Sequence, residues 1–143
     1  MDNGIYRLVG QVQNYAWGGQ VFIPELLGLS PEPDTPYAEY WLGAHKKAPS
    51  EVILEEDKAV RLDELIEEHP RSTLGPRAAF KYGRLPYLLK VLDVEEPLSI
   101  QVHPTKREAE GGYARENELG IPLDSPTRNY RDDNHKPELM VAL

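Results

Sequence analysis

The chain has 143 residues, 40% hydrophobic and 28% charged, with a formal charge of −8 and no cysteine. The acidic balance argues against non-specific binding to nucleic acid or anionic lipid. Without thiols there are no disulfides and no thiolate metal sites, so any metal would be held by nitrogen and oxygen ligands.

That length suffices for one domain with a modest core. The first 20 residues, MDNGIYRLVGQVQNYAWGGQ, lack a charged segment followed by an apolar run, so no signal peptide is expected. No apolar stretch approaches the roughly 20 residues of a membrane helix. The expected compartment is the cytoplasm.

YRLVGQVQ reads as a first strand or strand pair, with Gly10 as a bulge. NYAWGGQ is a turn carrying two aromatics. FIPELLGLSPEPDTP holds one helical turn before a proline-rich loop. YAEYWLGAH is a strand, and KKAPSEVILEE a loop followed by a short strand over 51–54. In VRLDELIEEHP, Leu62, Leu65 and Ile66 recur at helical spacing, and Pro70 is expected to stop the run. The wider acidic run EEDKAVRLDELIEEH is most simply a solvated helix face.

A second short helix is expected in RSTLGPRAAFKYGRLP, bounded by Gly75–Pro76 and Gly83. YLLKVLDV is a continuous apolar run of strand length with Lys90 in its middle. TKREAEGGYARENELG is polar and helix-prone, with a break expected at Gly111–Gly112. IPLDSPTRNYRDD is a loop and NHKPELMVAL a final strand. Several short strands with scattered helical segments predict a mostly-β domain. The glycine pairs in WGGQ and EGGY are not followed by Lys-Ser or Lys-Thr, so neither is a phosphate cradle. No Gly-x-Ser-x-Gly elbow is present.

Two segments share an unusual pattern. In PLSIQVHPTK read as a strand, Ser99, Gln101 and His103 share one face and Ile100 and Val102 the other. In NHKPELMVAL, Lys136 and Glu138 share a face, with His135 and Pro137 opposite. Set side by side in a β-barrel, these faces would converge on a Gln, a His, a Glu and a Lys. An amide oxygen, an imidazole nitrogen and a carboxylate oxygen are an acceptable donor set for zinc. The same spacing describes solvated strand faces, and Lys90 could simply snorkel from a strand edge. Spacing alone therefore supports a β domain with a candidate metal site and nothing sharper.

PLSIQVHP followed by YRDDNHKPE resembles the type I phosphomannose isomerases. The family signature Tyr-x-Asp-x-Asn-His-Lys-Pro-Glu is matched by Tyr130, Asp132, Asn134, His135, Lys136, Pro137 and Glu138. NYAWGG, AEYWLGAHKKAPS and LPYLLKVLDVEEPLSIQVHP are similar to further family blocks, in order along the chain. The resemblance implies a cupin-type jelly-roll barrel, incomplete in this chain, with short helical segments. It implies a zinc-dependent aldose–ketose isomerase acting on mannose 6-phosphate and fructose 6-phosphate. By matching motifs, the implied ligands of one zinc ion are Gln101, His103 and Glu138. Lys136 is the implied base, its pKa expected to fall through a nearby cation and partial burial. His135 is implied in ring opening, although it points away in an ideal strand unless Pro137 makes the stretch irregular. Ser99, Lys90, Glu39 and Trp17 are the implied substrate-binding residues.

For His69 the helix-end, water-facing reading outweighs chemistry. His45 stands about evenly, because its motif matches the family. Trp17 and Trp41 read as core or wall residues before catalytic ones.

The family's chain is much longer. Its fourth zinc ligand, a His, and an Arg implicated in catalysis come from later in the sequence and have no candidate here. Residues 1–143 are therefore expected to be a single N-terminal part of a cupin-type isomerase domain, ending within the barrel and inactive alone. The competing expectation is a non-catalytic metal- or sugar-phosphate-binding cupin module, or a half-enzyme needing a partner chain. A remnant of a truncated gene is the third. In each functional reading the ligand is a small sugar phosphate, with no nucleic acid and no membrane. The oligomeric state is left open.

Overall fold

A computed structural model describes residues 5–54 and 58–142. The acidic start of EEDKAVRLDELIEEH, the first four residues of the stretch searched for a signal peptide, and the last residue of the expected final strand lie outside them. The chain divides into two compact units, Met1–Leu98 and Ser99–Leu143.

In the first unit, YRLVGQVQ forms β1 (Arg7–Val9) and β2 (Gln11–Gln13). Gly10 is not a bulge within one strand but the point where the chain changes sheets: β1 pairs with β4 and β2 with β3. A Cβ at Gly10 would lie 2.3 Å from the Trp41 carbonyl oxygen and 2.7 Å from the Tyr40 ring. The Gly10 N–H donates to the Tyr40 hydroxyl at 2.7 Å. Only a residue without a side chain can make this corner.

Two three-stranded antiparallel sheets result. One has the order β1-β4-β5, with β4 at Glu51–Ile53 and β5 at Ala59–Arg61. The other has the order β2-β3-β6, with β3 at Glu39–Leu42 and β6 at Leu89–Leu92. Sequence periodicity merges β5 with the helix that follows. It is a strand because Val60 pairs with Val52 across the ladder, and the Leu62 N–H donates to the Ser50 carbonyl at 2.8 Å where the helix begins.

Helix α1 (Phe22–Leu27) ends on Gly28 in the left-handed region. Helix α2 (Leu62–Glu68) is followed directly by α3 (Pro70–Tyr82). Pro70 thus starts a helix as well as following one, because at the first position its missing N–H would have had no partner. Helix α3 is bent at Gly75 (φ 77°, ψ 158°), so Gly75–Pro76 bounds a short second piece that stops at Gly83. Ile23, Ala38, Val52, Leu65 and Ile66 form the buried core of this unit. The solvated-face reading holds for Glu64, Glu67 and Glu68, which are exposed opposite buried Leu65 and Ile66.

The second unit is organised around α4 (Lys106–Glu118). The expected break at Gly111–Gly112 does not occur. A capping box anchors the first turn: the Glu108 N–H donates to Thr105 Oγ1, and the Thr105 N–H donates to the Glu108 carboxylate at 2.8 Å. The Thr105 N–H and, second to it, the Thr105 hydroxyl donate to the Glu108 carboxylate and hold that carboxyl below its ordinary pKa. Gly112 is present for packing, since a Cβ there would lie 2.5 Å from the Tyr130 ring. Gly111 faces open space. Gly111→Ala is expected to stabilise the helix by about 1 kcal/mol, read as a rise in the urea midpoint. No rise, or a fall, would show that Gly111 is under a constraint its open surroundings do not reveal.

The expected strands over 99–103 and 134–142 are not formed among the described residues. Strand alternation is present in both, but a strand needs a neighbour for its N–H and C=O groups, and none pairs with either segment here. Their apolar residues accordingly face water: Ile100 is 99%, Val102 90% and Leu139 93% exposed. Among the described residues no helix is long and apolar enough to cross a membrane.

Candidate functional site

The implied site residues fall in both units. Trp17, Glu39 and Lys90 belong to the first, and Ser99, Gln101, His103, His135, Lys136 and Glu138 to the second.

In the first unit, register explains the grouping. Trp41 lies directly opposite Lys90 on β6, and Glu39 is two residues from Trp41 on β3, so all three share one face. Lys90 Nζ is 3.2 Å from Glu39 Oε2. The same oxygen accepts a short hydrogen bond from the Trp41 indole N–H. Glu39 and Trp41 are buried, and the Lys90 side chain is about one third exposed. Burying a carboxylate is costly unless partners such as these pair and hydrogen-bond it. Lys90 also lies 4.9 Å from the Trp41 ring centroid and Lys47 5.9 Å from it, while His45 meets the ring edge-on at 4.9 Å. The result is an aromatic floor carrying one neutralised and one further ammonium group.

Trp17 stacks on Tyr15 with ring centroids 5.8 Å apart, and its carbonyl accepts from the N–H groups of Glu95 and Glu96. It is held in the turn between β2 and α1, outside the Glu39–Lys90 contact. The sequence reads Trp41 as a core or wall residue, with no polar role. The available signal was Glu-x-Trp on a strand, which puts both side chains on one face.

In the second unit, His103 Nε2 stands 3.9 Å from Glu138 Oε1. Two donors on one tetrahedral zinc, at about 2.0–2.2 Å each, stand roughly 3.4 Å apart. A closing movement of roughly half an ångström would therefore let this pair share an ion. Among the described residues no group of three or more His, Cys, Asp or Glu side chains is placed to hold a metal. A third donor from this chain must then be of another type, and an amide oxygen such as that of Gln101 suits zinc chemically. Imidazole, carboxylate and amide oxygen are donor types compatible with zinc.

Gln101, Ser99 and His135 are exposed. Lys136 Nζ is 3.0 Å from Asp132 Oδ2 and more than half exposed, and the Asn134 N–H closes on the same carboxylate at 2.9 Å. Asp132 thus ties down the turn that carries Lys136. Lys106 Nζ donates to the Asp133 carbonyl at 2.8 Å and lies 3.3 Å from Glu110.

The sequence reads 121–133 as a plain loop, yet its Arg128 forms, with Glu116 of α4, the best-buried ion pair among the described residues of this unit. Arg128 and Glu116 are both about 5% exposed. Glu116 accepts from the N–H groups of Tyr130, at 2.8 Å, and Asn129, at 3.2 Å. These bonds, Tyr130's first, hold the Glu116 carboxyl below its ordinary pKa, with the Arg128 guanidinium a smaller contributor. Arg128 donates to the carbonyl of Tyr130 at 2.7 Å, to Asn117 Oδ1 at 2.7 Å and to the Ile121 carbonyl.

The model of the type I phosphomannose isomerase catalytic domain matches residues 5–143. The chain belongs to the type I phosphomannose isomerase family. It is 47% identical over 137 residues to the mannose-6-phosphate isomerases of Salmonella typhimurium and Escherichia coli, covering 96% of this chain and 35% of each relative. A crystal structure of the Salmonella typhimurium enzyme bound to substrate (f6p) and zinc superposes with a TM-score of 0.81 at 46% identity, over 92% of this chain and 33% of that one. A zinc-bound holo structure of mannose 6-phosphate isomerase gives 0.82 at 45% identity, over 91% and 33%. The chain spans about a third of the length of the curated relatives it matches.

Proposed function

We propose that residues 1–143 are the N-terminal part of a cupin-type, zinc-dependent isomerase that interconverts mannose 6-phosphate and fructose 6-phosphate in the cytoplasm, where sugar phosphates are made and used. The observation that carries this reading is the approach of His103 to Glu138 at the end of an intact Tyr130–Glu138 family signature. The zinc- and f6p-bound relative supports it.

Gln101, His103 and Glu138 would hold the ion, with a further ligand from outside this chain. Zinc, when bound, supplies a Lewis acid for the charge that develops on the carbonyl oxygen. The residues of this chain do the rest. His135 assists ring opening by moving a proton between the ring oxygen and the C1 hydroxyl. Lys136, once off Asp132, takes the proton from C2 to leave an enediolate; the O2 proton passes to O1 and Lys136 returns its proton to C1, which leaves the ketone at C2. Ser99, Lys90, Glu39 and Trp17 bind the sugar phosphate, with Lys90 offering positive charge from a wall where Glu39 and Trp41 fix its position.

The test is turnover by the full-length protein. Conversion of mannose 6-phosphate that stops on chelation and returns with zinc is the expected result. Turnover that survives complete metal removal would overturn the metal assignment. Zinc binding with no turnover would favour a non-catalytic binding module or a half-enzyme, a reading compatible with the 35% of each relative that this chain covers.

A further inference from the structure

The returning chain after α4 is fastened at both ends of that helix. At the C-terminal end, Glu116 and Asn117 grip Arg128, Asn129 and Tyr130 through the bonds described above. The Arg128 side chain is 1% and the Glu116 side chain 6% exposed, so this is a buried, multiply bonded clamp and not a surface ion pair. Tyr130 is also seated in the notch left by Gly112, with Arg115 6.0 Å from its ring centroid. At the N-terminal end, Lys106 holds the Asp133 carbonyl. Residues 128–133 therefore run back along α4, past Gly112 towards Lys106, while the bond from Arg128 to the Ile121 carbonyl keeps 121–128 gathered at the C-terminal end of the helix.

The two ends of this hairpin carry the facing donors. His103 stands two residues before the Thr105 cap of α4, and Glu138 lies five residues beyond Asp133. Neither is held by strand pairing among the described residues, so the register of the returning segment on α4 decides how closely they approach.

We propose that Glu116 and Arg128 are positioning residues: together they lock the returning segment on α4 and so set the spacing of His103 and Glu138, and with it their affinity for zinc. This rests on the reading of His103 and Glu138 as metal ligands. Glu116 and Arg128 touch neither metal nor substrate; they act through the backbone of 128–130. Their roles follow from geometry. The carboxylate satisfies two consecutive backbone N–H groups, and the guanidinium fork joins three acceptors that an ammonium could not span.

The experiment uses the full-length protein with zinc and cobalt as probes. Zinc dissociation constants come from competition with a chromophoric chelator, and ligand geometry from the visible absorption of the cobalt-substituted form. Glu116→Gln and Arg128→Lys are expected to weaken zinc about ten- to a hundred-fold, the range seen when outer partners of a metal site are lost, and to alter the cobalt spectrum. Asn117→Ala removes one of Arg128's acceptors at an exposed position, leaves folding intact, and should weaken zinc in the same direction by less. Val52→Ala, in the core of the other unit, serves as a destabilised control whose zinc affinity and cobalt spectrum stay unchanged. If Asn117→Ala and the folded members of the other pair bind zinc like the unaltered protein, with the same spectrum, the clamp has no positioning role. If the unaltered protein binds no zinc, the ligand assignment itself falls, and this inference with it.

Discussion

A Gly18→Ala chain is expected to lose upwards of about 2 kcal/mol of stability, because overpacking of a closed site displaces backbone. A Cβ at Gly18 would lie 2.4 Å from the Cα, 2.5 Å from the nitrogen and 2.6 Å from the Cβ of Ala38. Neither side can give way. Gly18 bridges Val94 and donates to the Tyr15 carbonyl at 3.0 Å, while the neighbouring Gly19 carbonyl accepts from Tyr37 at 2.7 Å. Ala38 is fully buried, and its N–H donates to the Gln13 carbonyl. The damage should spread to Glu39, the next residue, and so to the Lys90 contact. Urea unfolding followed by circular dichroism measures the loss. A midpoint unchanged from the parent would mean that the turn carrying Trp17 can slide away from β3, and that Gly18 is not a packing requirement.

Removing the carboxylate at Glu138 should have the largest effect on metal content. Glu138→Ala deletes the charged donor of the proposed ligand set, and zinc affinity is expected to fall more than about 100-fold, beyond the loss typical of an outer partner. Gln101→Ala deletes a neutral oxygen donor and should cost less. Metal content after extensive dialysis, with a chelator titration for affinity, separates the two. A Glu138→Ala protein that keeps a full equivalent of zinc would sink the assignment of Glu138. A Gln101→Ala protein indistinguishable from the parent would leave the third donor to be sought outside this chain.

How much was readable in advance depends on the range of the interactions. The strands in YAEYWLGAH and YLLKVLDV, the helix in VRLDELIEEHP and the stop at Gly83 are local in origin, and the structure forms them. Gly10 was readable as an irregularity, but the change of sheet depends on Tyr40 and Trp41, some 30 residues away. Gly112 misled, because the Tyr130 ring that makes it a packing glycine is distant in sequence. Gln101, His103, Lys136 and Glu138 came to notice by alternation and by family resemblance. The alternation is real, yet it does not make a strand where no neighbour pairs with it. The Glu116–Arg128 clamp was invisible because each member sits in a polar run that looks solvated, and only the fold shows that the pair is buried.

The group on β3 and β6 also gives the molecule a spectroscopic character of its own. The chain has two tryptophans. One is stacked on a tyrosine; the other has its indole N–H on a buried carboxylate and two lysine ammonium groups near its ring. Indole emission responds to the electric field across the ring, so Trp41 is wired to the charges of Glu39, Lys47 and Lys90. An anion that drew Lys90 away from Glu39 would change that field, and the ultraviolet fluorescence of the unlabelled protein would record it.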